Sequence, residues 1–374
     1  DSHAQILEQI RAHSESLRYV FNFKANGLDA VADFGESVSD EELDKAIGRV
    51  RADDLFGNAL RSNQFQHDDN VGRLGTPIRR WEWGMTPMTV NAYANEKGVL
   101  FSSANSINIG RLVPQVVYYV YAYAKLLQND EIQSGEKINV TVPTGNFGNI
   151  LAAFYAKQMG LPVKKLICAS NENRVLYDFF RTGTYDRKRD FILTTSPSMD
   201  ILISSNLERL IYRLTGENAE KCAELMKSLS EGGEYTITDD MKAQLVDFYG
   251  NFCSEDETAQ AISDIYKNSN YVIDTHTAVA AGVYKKYVSE TADHLPTVIA
   301  STASPYKFTR SVMEAIGEEH KDLDDFGLVD ALSALSGVPV PRAVEEIRTA
   351  PVLHDRVVDA VDMPAAVKDI LKIK

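Results

Sequence analysis

Cysteine is scarce in this chain: Cys168, Cys222 and Cys253 are the only three among 374 residues, and they stand far apart. That spacing suits no metal site and points instead to buried or half-buried free thiols in a reducing compartment. Basic charge is also short, with 39 Lys and Arg against 53 Asp and Glu and a formal net charge of −14. This balance argues against a nucleic-acid or anionic-membrane surface, because both require clustered Lys and Arg. No stretch approaches the about 18 apolar residues expected of a membrane-spanning helix. The opening Asp1-Ser2-His3-Ala4 has neither a basic n-region nor an apolar h-region, so no signal peptide is expected and the cytoplasm is the expected location. The start also lacks an initiator methionine, as in a fragment or a trimmed product. Two common phosphate-loop signatures are missing: no Gly-Lys-Ser/Thr closes a Walker A loop, and no Gly-x-Gly-x-x-Gly is found. Internal repeats and low-complexity tracts are absent too.

What is present is an ordinary soluble composition, 44% hydrophobic and 25% charged, with length enough for two or three domains. Residues 3–20 suit a helix with Ile6, Ile10 and Leu17 along one side. Ser39-Asp40-Glu41-Glu42 opens a better one, its acidic residues placed at a helix N-terminus and Leu43, Ile47 and Val50 at helical spacing. Residues 69–90 carry Gly72, Gly75, Pro77, Gly84 and Pro87, which is linker composition. The chain therefore divides into a mixed helical and loop segment, 1–95, and a second region, 96–374.

In the second region the rhythm changes. Leu112 to Leu127 reads as a tyrosine-rich helix, more simply core packing than a ligand box. Strand 137–142, helix 149–159, strand 163–169 and a helix at about 172–181 follow, with Thr297 to Ala300 as another short buried strand. Strand, loop, helix, strand is the βαβ pattern, so the expected fold class is α/β with a mainly parallel sheet.

Ligands of open α/β sheets bind at the carboxyl ends of strands. Pro143-Thr144-Gly145-Asn146-Phe147-Gly148-Asn149 lies at such an end and opens a helix. Gly145 and Gly148 permit positive φ and close backbone approach, and Asn149 is a reasonable N-cap. Successive N–H groups in such a turn form an anion nest, reinforced by the helix that follows. A glycine-rich strand-to-helix turn without a ligand has the same local appearance.

The same seven residues resemble the phosphate loop of pyridoxal 5'-phosphate (PLP) enzymes of the second fold type, the tryptophan synthase β-like class, and within it threonine synthase. Further blocks agree in order: Ser103-Ala104-Asn105-Ser106-Ile107-Asn108 with Arg111, Asn171-Glu172-Asn173, Thr182-Gly183-Thr184-Tyr185, and Ser196-Pro197-Ser198-Met199-Asp200-Ile201. Ser205-Asn206-Leu207-Glu208-Arg209-Leu210, Asp274-Thr275-His276-Thr277-Ala278-Val279 and Ser301-Thr302-Ala303-Ser304-Pro305-Tyr306-Lys307-Phe308 complete the set. The resemblance covers residues 96–374. It implies that Gly145, Asn146, Phe147, Gly148 and Asn149 cradle the PLP phosphate and that the Thr302 hydroxyl faces the pyridine nitrogen. A neutral partner there does not force that nitrogen to be protonated, which keeps the electron sink moderate. His276 reads as a satisfied core histidine. Asp200, Asn206, Glu208 and Arg209 read as one charged network at a domain interface, and Lys307 reads as a scaffold residue.

Two family signatures are not found in residues 1–95: the His-Gly-Pro-Thr-x-Ala-Phe-Lys-Asp segment, whose lysine binds PLP covalently, and the Thr-Ser-Gly-Asp-Thr-Gly loop for the substrate carboxylate. The closest echo of the first shares only Phe23-Lys24, and Lys24 is more simply a surface lysine. The resemblance implies a carbon–oxygen lyase acting on a phosphate ester, in threonine biosynthesis. It would turn O-phospho-L-homoserine and water into L-threonine and phosphate by stabilising carbanions at Cα and then Cβ. Without the lysine, two alternatives stand beside it: a non-catalytic PLP or phosphate binder, or a partial chain needing a complementing domain.

Overall fold

The computed structural model describes residues 106–317, 322–353 and 355–372. The expected helices at 3–20 and 39–50, the linker, the boundary near 95 and Lys24 lie outside the described residues.

Among the described residues the first helical turn is Ile109–Leu112, which passes through a 3-10 turn at Val113–Gln115 and continues as α1 (Val116–Gln128). The βαβ unit follows as β1 (Ile138–Pro143), α2 (Gly148–Gln158) and β2 (Val163–Ser170), then α3 (Val175–Thr182) and β3 (Thr184–Asp186). Next come α4 (Leu207–Leu214), α5 (Ala219–Gly232), β4 (Glu234–Thr236), α6 (Asp239–Ala243) and β5 (Phe248–Phe252). The remaining elements are α7 (Glu255–Ser269), α8 (Thr275–Thr291), β6 (Thr297–Ile299), α9 (Thr309–Ala315), α10 (Asp325–Ser336), α11 (Arg342–Ile347) and α12 (Met363–Ile370).

The main sheet has the order β5-β2-β1-β6, and each of its pairings is parallel. All six residues of β1 are buried, as expected of a strand covered on both faces. Side-chain alternation sorts the two faces. Val140, Val142, Leu166 and Cys168 pack in one core with Ile150, Leu151, Ala152 and Ala153 of α2. Ile167 and Ala169 point the other way, against Val279, Ala280 and Val283 of α8. Runs of alanine in both helices let their backbones lie close on the sheet. A separate antiparallel pair, β3 with β4, stacks Tyr185 on Tyr235 at 5.5 Å.

Three expectations need correction. Thr297–Ile299 is half-buried rather than buried, because among the described residues β6 pairs only with β1 and forms the sheet edge. The helix expected from about 172 begins at Val175, since Asn171 Oδ1 accepts from the Asn173 N–H at 3.0 Å and holds a turn there. In the tyrosine-rich helix only Tyr119 and Tyr123 are core, whereas Tyr118 and Tyr121 are exposed. The three cysteines are buried free thiols. No described helix is long and apolar enough to cross a membrane.

Candidate functional site

Parallel pairing of β1 with β6 decides what can meet at this end of the sheet. The Ala300 N–H donates to Thr141 O at 2.9 Å, so the turns after both strands leave the same edge. After β1 comes the glycine-containing loop, and after β6 comes Ser301-Thr302.

The loop is held by its carbonyl groups. Gly145 O accepts from Ser204 Oγ at 2.7 Å. Asn146 O accepts from the Asn206 N–H at 3.0 Å and from Asn206 Nδ2 at 2.8 Å. Among the described residues nothing accepts from the backbone N–H groups of Gly145, Asn146, Phe147 or Gly148. Tying the carbonyls back leaves these donors presented, at the positive end of α2. Such a set of unpaired N–H groups is an anion nest, and leaving it without a partner is costly.

Phe147, not a glycine, supplies the left-handed residue, with φ of 61° at the helix N-cap. A bulky residue in that region is strained by about 1–2 kcal/mol. Its ring, 1% exposed, is locked beside Phe180 and Phe248 at 6.1 and 6.0 Å, which over-determines the conformation. Of the two expected reasons for Gly145 and Gly148, positive φ is corrected, since neither glycine has it, while close approach holds. A Cβ on Gly145 would sit 2.5 Å from Ser198 O, and one on Gly148 would sit 3.3 Å from Asn206 Nδ2. Asn149 is not the N-cap either, because Phe147 occupies that place. The Asn149 side-chain oxygen instead accepts from the hydroxyl of Tyr119, whose burial pushes its pKa up.

A cavity of about 780 Å³ opens beside the loop, lined by Arg111, Gln115, Tyr118, Asn149, Ser301 and Thr302 among others. Of the expected site residues, Asn149 and Thr302 share this wall, while Gly145 to Gly148 lie outside it. The expected charged network divides in two. Asp200 Oδ1 accepts from Asn171 Nδ2 at 2.7 Å, Asn173 Nδ2 at 3.1 Å and Thr194 Oγ1 at 2.7 Å. Asn206 and Arg209 belong to the loop instead: Asn206 Oδ1 accepts from Arg209, whose Nη2 also donates to Ile107 O at 2.8 Å. His276 is 2% exposed and hydrogen-bonded, as a core histidine should be. Lys307 is exposed at the end of a 3-10 turn, its Nζ 5.4 Å from the Phe308 ring centre. Sequence reasoning missed Ser204 and Tyr119, whose roles depend on contacts across 59 and 30 residues.

Against known proteins, the family described as "Threonine synthase, C-terminal" matches residues 277–372. Threonine synthase-like 1 of Macaca fascicularis is 46% identical over 223 residues, covering 59% of this chain and 30% of that protein. The Mus musculus protein of the same name is 44% identical over 336 residues, covering 87% of this chain and 41% of that protein. This share exceeds what residues 96–374 alone provide, so the alignment takes in part of residues 1–95. Threonine synthase of Corynebacterium glutamicum is 37% identical over 244 residues, 63% of this chain and 50% of that one. Among solved structures, PLP-bound threonine synthase from Brucella melitensis superposes with a TM-score of 0.57 at 34% identity, over 70% of this chain and 53% of that one. Yeast threonine synthase gives 0.63 at 29% identity, over 75% and 55%.

The described residues thus have the α/β, mainly parallel architecture of the solved threonine synthases. Over its matched region the chain is threonine synthase-like. It spans half or less of the length of the curated relatives named here.

Proposed function

We propose that residues 96–374 are the cofactor-cradling part of a cytoplasmic, threonine synthase-like PLP enzyme. Its reaction would be O-phospho-L-homoserine plus water to L-threonine plus phosphate. One observation carries this reading: four consecutive backbone N–H groups without an acceptor among the described residues, at a helix N-terminus on the carboxyl edge of a parallel sheet. A phosphate monoester dianion fits such donors.

In this reading the N–H groups of Gly145 to Gly148 bind the PLP phosphate, and Asn149 is held against the cofactor by Tyr119. The Thr302 hydroxyl meets the pyridine nitrogen and leaves it unprotonated. Arg111, in the wall of the same cavity, offers a cation to an anionic group of the substrate. When bound, PLP supplies an electron sink for carbanion chemistry at the substrate carbons. Proton transfer at those carbons falls to a lysine of the kind carried by the family's Phe-Lys-Asp segment, which residues 1–95 do not display.

Equilibrium dialysis with PLP, with inorganic phosphate as competitor, tests the cradle: reversible, phosphate-competed binding is expected. Phosphate release from O-phospho-L-homoserine should stay near background for the chain alone and rise when a lysine-bearing family segment is fused or added. Absence of PLP binding overturns the cradle. Robust threonine formation by the unaltered chain overturns the assignment of the missing lysine. A second reading, a PLP binder that forms no threonine, rests on the lysine signature that residues 1–95 do not display.

A further inference from the structure

Asp274-Thr275-His276-Thr277 begins α8 and is almost wholly removed from solvent, Asp274 being 0% and His276 2% exposed. Its first task is to cap the helix: Asp274 Oδ1 accepts from the His276 N–H at 2.8 Å. The turn makes more contacts than a cap requires, and they leave it in two directions.

One arm runs to the anion loop. His276 Nδ1 lies 3.2 Å from Asp274 Oδ1, so the carboxylate holds the proton on that nitrogen and leaves Nε2 an acceptor. Nε2 accepts from the Ser198 N–H at 3.2 Å. Ser198 is the residue against which Gly145 packs, its carbonyl oxygen only 2.5 Å from where a Gly145 Cβ would stand. Thr275 Oγ1 donates to Thr195 O at 2.8 Å and holds the start of the same segment. The other arm runs to the turn after β6. The Thr277 hydroxyl donates to Asp274 Oδ2 and shares a hydrogen bond of 3.1 Å with Ser301 Oγ, next to Thr302.

We propose that this capping turn is a buried hub positioning both ends of the cofactor site, His276 setting the phosphate end and Thr277 the ring-nitrogen end. The inference rests on the site reading above. Both residues are positioning residues, since each reaches the site through a neighbour: His276 through Ser198 and Gly145, Thr277 through Ser301. Removing one arm should therefore disturb one end of the site and spare the other, whereas a plain helix cap would disturb both or neither.

The test uses the full chain with His276→Phe, His276→Leu, Thr277→Val and Thr277→Ser, with PLP and inorganic phosphate as separate probes. Whichever His276 variant retains the cooperative thermal melt is expected to bind inorganic phosphate and PLP each about tenfold more weakly, with the absorbance of bound PLP unchanged. Thr277→Val is expected to keep inorganic-phosphate affinity within about twofold while the absorbance of bound PLP shifts, and Thr277→Ser to restore the wild-type spectrum. Equal losses of both probes in both variants, or a Thr277→Val protein with the wild-type spectrum, overturn the hub while leaving the cradle standing. A wild-type chain that binds neither probe overturns the cradle, and the hub with it.

Discussion

Asn206 and Asn146 are joined twice: the backbone N–H and the side-chain Nδ2 of Asn206 both donate to the main-chain oxygen of Asn146, at 3.0 and 2.8 Å. The same Nδ2 reaches Ser106 O at 3.2 Å, and the side-chain oxygen accepts from half-buried Arg209. One fully buried amide thus holds the loop carbonyl that would otherwise turn toward an anion. Asn206→Ala leaves Arg209 short of an acceptor and frees the Asn146 peptide to rotate. A stability loss of about 1–3 kcal/mol is expected, because a half-buried donor and a loop carbonyl lose their partner. Urea denaturation checks that loss, and calorimetric titration with inorganic phosphate should show weaker binding alongside it.

Gly145 offers a sharper steric test. Its Cβ would meet the backbone oxygen of Ser198 at 2.5 Å, a contact that no side-chain rotation relieves. Gly145→Ala should cost about 1–3 kcal/mol by overpacking and weaken phosphate binding. Gly232, with nothing within 4 Å of the added carbon and a place at the end of α5, serves as the control. Gly232→Ala should be neutral or slightly stabilising, since alanine is the better helix former. Equal losses in the two variants would show that the Ser198 contact is not what requires the glycine.

Much of this arrangement could be read from the sequence, and the failures share one cause. The βαβ unit showed itself because β1 is a run of β-branched residues and α2 starts within a few positions of its end. The strand-to-helix loop lies where the sequence pattern puts it, and of the two reasons given for its glycines only close approach holds. Glycine suggests positive φ, yet Phe147 takes that conformation, while Gly145 answers to a carbonyl 53 positions later. Asn149 looks like a cap in isolation, but a buried ring two residues earlier fixes the helix start. Asp200 and Asn206 look like one network because they are six residues apart, and the chain between them turns their side chains to different partners. Local pattern reports the backbone; contacts between residues distant in sequence decide which side chain serves which end of the site.

Acid should act through Asp293. Burial would raise this carboxyl, but Tyr287 at 2.5 Å, Lys164 at 3.0 Å and Asn139 at 3.1 Å outweigh it and hold the carboxyl well below the usual range. With the folded value depressed, the contribution to stability is fully present above the ordinary carboxylate pKa of about 3.9 and is lost as the pH falls toward the lower folded value. Asp293→Asn should therefore be less stable than wild type at neutral pH. The gap between the two should narrow as denaturation is followed below about pH 4. A constant gap at every pH would show that the ion pair and hydrogen bonds to Asp293 do not depend on its charge.

The two ends of the cradle can be separated by a pair of substitutions. Gly148 is part of the loop, and a Cβ there would lie 3.3 Å from Asn206 Nδ2. Gly148→Asp adds a carboxylate to the loop itself, so charge repulsion against an anion and lost space beside Asn206 act together. Binding of inorganic phosphate and of PLP should both disappear, with the fold retained by circular dichroism. Thr302 stands in the exposed turn after β6, in the wall of the cavity and outside the loop. Thr302→Val keeps its shape and removes one neutral hydrogen bond, worth about 1 kcal/mol. Phosphate affinity should then be unchanged, PLP affinity should fall by roughly fivefold, and the absorbance of bound PLP should shift. If Thr302→Val lowers the affinity for inorganic phosphate as much as for PLP, Thr302 serves the anion and not the ring, and the orientation proposed for the cofactor is reversed.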